Sequence, residues 1–217
     1  RNRQAREVGG DYYDALPVTQ AGPEESHLFT VADISGKGVG ASLLMANIQA
    51  TLRAVLAGET CLTTVAARTS DLLHASTPGS KYATAIFVQY DPLTGACEYV
   101  NGGHNEGVVL RAGGSVELLE ATGLPVGLLP KRTYESAQFQ MNPGDLLFIY
   151  SDGVPEACTR ENEEFGLERA IECLRSARGE GPEVILDHLF EQIDRFAAGA
   201  PQHDDITALV LKRTGAV

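Results

Sequence analysis

The order in which apolar periodicities follow one another along the chain constrains its fold more than any other feature. A strand-like run at residues 27–34 (HLFTVADI) stops in a glycine turn, SGKGVG. After Gly40 the residues Leu44, Ile48, Leu52 and Leu56 recur at i, i+4 and predict a helix of about four turns. Residues 62–76 repeat the helical pattern more weakly. Strand patterns then accumulate: ATAIFVQYD, CEYVN and VVLR, residues 116–119 and 133–139, and DLLFIYSDG after the turn Asn142-Pro143-Gly144. Asp91 to Gly95 (DPLTG) reads as a tight turn between two of them. Helical stripes return at 166–178 and 182–196, and Ile206 opens a last strand, ITALVLK. A βαβ series would alternate strand with helix. This order does not, so it predicts an α+β fold with helices layered on largely antiparallel sheets.

With 217 residues, 43% of them hydrophobic, the chain has enough apolar material for one continuous core, and no linker or repeat divides it. A single domain spanning 1–217 is expected. The chain opens on Arg1 in a short polar stretch, which suggests a piece of a longer protein. A formal charge of -12, with dispersed Lys and Arg, excludes nucleic acid as a ligand and suits cations. No apolar run approaches the roughly 20 residues of a membrane span, and no signal peptide is visible. Cys61, Cys97, Cys158 and Cys173 have no C-x-x-C pairing or ligand spacing, so four reduced thiols and a cytoplasmic setting are expected.

Four segments place aspartates at the end of an apolar strand or in the turn beside it: Asp11 and Asp14 in GGDYYD, Asp33 in VADISGKG, Asp152 in IYSDGVPEA, and Asp204 and Asp205 in QHDDIT. One such residue is usually a turn former or a cap. Four together, flanked by glycines that let a ligand approach the backbone, point to cation binding. Carboxylates without clustered His or Cys select Mg²⁺ or Mn²⁺. Two such ions lower the pKa of a shared water and offset charge developing on a phosphoryl group, so no covalent nucleophile is required. Gly36-Lys37-Gly38 lacks the full GxxxxGK[ST] pattern, and a nucleotide loop is therefore not expected. Its glycines turn the strand into the following helix, whose N-terminus adds positive potential.

The set GGDYYD, VADISGKGVGASLLMA, YVNGGHN, GLPVGLLP, PGDLLFIYSDGVPEA, FGLERA and HDDITALVL resembles the SpoIIE/RsbU branch of the PPM-type (protein phosphatase type 2C-like) serine/threonine phosphatases, in order from Glu7 to Leu211. The resemblance implies a β-sandwich of two antiparallel sheets flanked by helices, in α-β-β-α layers, with two Mn²⁺ or Mg²⁺ ions at one end. By resemblance Asp33 bridges both ions, the Ile34 carbonyl and Asp11 belong to the second, and Asp152 and Asp204 hold the first. Gly10 stands where eukaryotic relatives place a further Glu, and Ile34 and Ser35 follow the bridging Asp where those relatives carry a His. A water on the metals or another group must then protonate the leaving serine. Arg6 has the offset of a phosphate-binding Arg, His104 is assigned to a turn, and Asp14, Glu156 and Asp205 to supporting roles.

The implied activity is hydrolysis of phosphoserine or phosphothreonine on a regulatory protein, an anti-sigma-factor antagonist of the STAS type, by attack of the metal-bridging water. An upstream sensor or receiver domain, low basal activity, a shift of the helix after Gly40 to complete the second ion's site, and a homodimer all accord with the resemblance. The competing readings are an inactive phosphatase-fold binding module and a hydrolase of small phosphoesters.

Overall fold

The structure, a computed structural model, describes residues 1–5, 9–18, 26–77 and 81–215. Its elements are β1 (Asn2–Arg3), β2 (Tyr12–Val18), β3 (Ser26–Ile34), α1 (Val39–Leu56), α2 (Leu62–Ser76), β4 (Ala83–Tyr90), β5 (Ala96–Gly102), β6 (Gly107–Leu110), β7 (Val116–Leu119), β8 (Ala137–Gln140), β9 (Leu146–Tyr150), α3 (Gly166–Ser176), α4 (Pro182–Ala197) and β10 (Ile206–Lys212). They form two sheets, β2-β3-β4-β5-β8 and β1-β10-β9-β6-β7. All the strand pairs within them are antiparallel.

The two-residue period of a strand separates the layers. In β4, Ala85 and Phe87 pack with Leu44, Ile48 and Leu52 of α1 and Leu73 of α2, while Ile86 and Val88 turn to the other sheet and meet Val109, Leu147 and Ile149. In β9, Leu146, Phe148 and Tyr150 pack with Leu174 of α3 and Ile185 and Leu189 of α4, while Leu147 and Ile149 point inward. Both sheets are covered on both faces, which is why β9 reads as the unbroken apolar run LLFIY. The layers are α-β-β-α, as expected. Each fully buried Leu, Ile or Phe contributes roughly 1.5–3 kcal/mol by leaving water.

Several boundaries differ from the sequence reading. The strand expected at 133–139 is confined to β8, because β5 offers it only the register Ala96–Tyr99; Tyr134 instead buries its ring in the core under α1 and α2. The helix expected to Arg178 ends at Ser176. The polar N-terminus pairs with β10 as β1. β2, not foreseen as a strand, lies at a sheet edge, where Pro17 removes no needed donor. Helix α1 has 18 residues, and by length and composition it could cross a membrane, contrary to the sequence reading. Its stripe of Ala41, Leu44, Ile48, Leu52 and Val55 is nevertheless buried within the fold, the pattern of an amphipathic core helix. All four cysteines are free.

His104 does more than shape a turn. Its buried ring bonds the Thr84 hydroxyl of β4 through Nδ1 at 2.9 Å and the Tyr150 carbonyl of β9 through Nε2 at 3.0 Å, joining the two sheets. Burial lowers its pKa to about 4, so the ring is neutral at physiological pH. His104→Ala would strip both partners of their bond and is expected to cost roughly 1–3 kcal/mol, read as a lower midpoint in thermal unfolding.

Candidate metal centre

Register brings the aspartates together. Tyr12 pairs with Ala32, so one step further Asp11 lies opposite Asp33 at the end of the first sheet. In the second sheet Ala208 pairs with Tyr150, and the Ser151 N–H donates to the Thr207 carbonyl at 3.0 Å. That sets Asp152 beside the Asp204-Asp205 turn. The sheets touch at this end, where the Thr207 hydroxyl of β10 donates to Oδ2 of Asp11 at 2.5 Å.

The four segments thus share one field. Burial, followed by the charges of Asp11, Asp152, Asp204 and Asp205, pushes the Asp33 carboxyl up to about 7. Burial likewise raises Asp11 to about 7, against the hydrogen bonds from Thr207 and Ser151 that favour its ionised form. Asp152 is raised by burial and by Asp204. Glu156 is raised by burial and by Asp152. Asp33 accepts no side-chain hydrogen bond among the described residues and lines a hollow of about 20 Å³ with Gly10, Lys37 and Asp204. That is the size of a bound ion or a water.

Among the described residues no three His, Cys, Asp or Glu side chains already close around one point. Two contacts hold carboxylate oxygens elsewhere: the Lys37 ammonium bonds Oδ2 of Asp204 at 2.7 Å, and Thr207 bonds Oδ2 of Asp11. The donor chemistry still fits a hard cation, since carboxylate oxygens repelling one another at a water-sized hollow are what Mg²⁺ or Mn²⁺ neutralises.

The supporting residues divide by their partners. Asp205 accepts from the Ala5 N–H at 2.8 Å and the Gly10 N–H at 2.7 Å, tying the N-terminal segment to β10. Asp14 bonds the Tyr12 hydroxyl, the Ala15 N–H and Arg53. Arg6 lies outside the described residues.

Sequence reasoning passed over two contributors. Lys37, in the sequence only part of an incomplete nucleotide-loop pattern, sits on Asp204 because Gly36 and Gly38, at φ 101° and 79°, bend the chain there. A cation between two glycines one turn from Asp33 was the available signal. Thr207 carried a weaker one, its place in HDDIT.

At Gly10 an added Cβ would meet Ala41 Cβ at 3.4 Å and the Ile34 carbonyl at 3.6 Å, so a side chain can start there without a clash. Gly10→Glu would add an anionic oxygen donor beside Ile34. It is expected to tighten divalent-ion binding roughly tenfold in a calorimetric titration, since affinity for hard ions rises with ligand charge.

The family model described as Stage II sporulation protein E (SpoIIE) matches residues 23–214. Protein IcfG of Synechocystis sp. is 30% identical, over 96% of this chain and 36% of its own length. Phosphoserine phosphatase RsbU of Bacillus subtilis is 27% identical, over 96% of this chain and 61% of its own length. The chain therefore spans about a third to three fifths of these two relatives. Among solved structures, the SiaA-PP2C domain of Pseudomonas aeruginosa superposes with a TM-score of 0.84 at 19% identity, covering 98% of this chain and 84% of that one. The sandwich is thus the PP2C fold, and the chain belongs to the SpoIIE family.

Proposed function

We propose that this chain is a metal-dependent protein serine/threonine phosphatase, with Asp11, Asp33, Asp152, Asp204 and the Ile34 carbonyl as its metal donors. The observation that carries this reading is the convergence of aspartates from four distant segments around Asp33 in one repelling cluster, of which Asp33, Asp204 and Asp205 line a water-sized hollow. Membership of a family that includes a named phosphoserine phosphatase supports it. When bound, two Mg²⁺ or Mn²⁺ ions would supply Lewis acidity at the phosphoryl group and lower the pKa of a water that attacks it. The chain's own residues set the stage. Asp33, at the end of the first sheet, would serve both ions; Asp152 and Asp204, at the end of the second sheet, and Asp11 and Ile34, at the end of the first, would supply the other donors. Thr207 fixes the orientation of Asp11.

The substrate class follows the same family likeness: a phosphorylated regulatory protein, an anti-sigma-factor antagonist of the STAS type. The test is phosphate release from such phosphoproteins with Mn²⁺ and after exhaustive chelation. Release that requires the ion supports the reading; undiminished release after chelation contradicts the mechanism, and no release from any antagonist contradicts the substrate.

A further inference from the structure

We propose that the cleft on the outer side of Asp204 binds the polypeptide flanking the phosphoserine of a protein substrate, so that this site, rather than the aspartate hollow, distinguishes protein from small phosphoesters. This rests on the phosphatase reading above.

The cleft encloses about 480 Å³, within the range of ligand-binding clefts. It opens onto the hollow, since Lys37, His203 and Asp204 line both. Among the larger described cavities it alone has this continuity. A phosphoester at the mouth of the hollow can therefore lay its neighbouring chain here. The backbone builds the cleft deliberately. After α4, Ala198 at φ 47° and Gly199 at φ 78° reverse the chain, and residues 200–204 form one rim.

The lining specifies the occupant. Ala157, Ile193, Ala197 and Ile206 give an apolar floor. Arg3, whose Nη1 donates to Asp194 at 2.5 Å and whose guanidinium lies 5.4 Å from the Phe190 ring centroid, forms part of the wall. The lining carries both signs, Arg3 and Lys37 against Glu156, Asp194 and Asp204, which disfavours a strongly charged segment. An extended peptide answers both features: an apolar side chain for the floor and little charge. At ~3.3 Å per residue that side chain lies roughly one to three positions from the phosphoserine.

The experiment compares Ala197→Trp and the milder plug Ala157→Leu with the wild type. The probes are a phosphoserine peptide with leucine neighbours, its glycine-flanked counterpart, and para-nitrophenyl phosphate, all with Mn²⁺. The wild type should prefer the leucine peptide. Ala197→Trp should lower kcat/KM for that peptide by about tenfold or more, Ala157→Leu by less, and both should leave para-nitrophenyl phosphate within about twofold. Equal losses on all three probes, no loss on any, or turnover of para-nitrophenyl phosphate without a peptide preference would overturn the cleft assignment. A wild type that hydrolyses none of the three would instead overturn the phosphatase reading itself.

Discussion

Asp33→Asn is expected to lower metal-dependent phosphatase turnover by at least about 100-fold while making the metal-free protein more stable. Replacing a residue that only supports metal ligands typically costs 10–100-fold, so losing the carboxylate proposed to serve both ions should cost no less. The rise in stability follows from the same charge. Asp33 is pushed up to about 7 by burial and by four neighbouring aspartates, so its ionised form is unfavourable in the folded metal-free chain at neutral pH. Asparagine is near in size and removes the repulsion. Allowing for coupling between the sites, the gain is on the order of 1–3 kcal/mol, or several degrees in Tm for a chain of this size. Turnover and Tm measured on the same preparation check both halves. A fall in both would mark Asp33 as a fold residue; full activity would remove it from the centre.

The second large effect is a reversal of the pH dependence of stability when divalent ions are added. Without ions, Asp11 and Asp33 have carboxyls near 7 in the folded state against the ordinary aspartate value of 3.8. Between these values the folded chain binds more protons than the unfolded one, so their contribution is fully present below about pH 4 and is lost as pH rises through about 7. The metal-free protein should therefore lose stability between pH 5 and pH 8 by roughly a few kcal/mol, an upper figure because the two sites titrate together. With saturating Mn²⁺ the ionised carboxylates become donors and protons compete with the ion, so stability should rise over the same interval. At a hundredfold excess over Kd the ion alone adds about 2.7 kcal/mol. Thermal unfolding at pH 5.5 and pH 8, with Mn²⁺ and with chelator, reads the sign. An identical slope in both conditions would separate the cluster from metal binding.

Much of this was legible in the sequence, for physical reasons that particular residues illustrate. The continuous run in β9 and the i, i+4 stripe of α1 announced their burial because one-sided and two-sided burial leave different periods. Asp33, Asp152 and Asp204 stood out because a carboxylate at the end of a buried strand is costly without a partner. The remainder depended on register and on contacts between sheets. Nothing local says that Thr207 reaches Asp11, or that His104 joins β4 to β9, because those partners lie 196 residues apart in the first case and 20 and 46 in the second. Residues 133–136 carry strand formers yet join no strand ladder among the described residues, since the available edge of β5 is short. Tertiary geometry overrode propensity there.

The central claim is that this aspartate cluster holds two divalent ions, and manganese-edge anomalous diffraction from crystals grown with Mn²⁺ tests it most directly. The account predicts two peaks roughly 3.5–4 Å apart, Asp33 touching both, Asp152 and Asp204 on one, and Asp11 with the Ile34 carbonyl on the other, directly or through water. An empty hollow at saturating Mn²⁺, or peaks held by other residues, would contradict it.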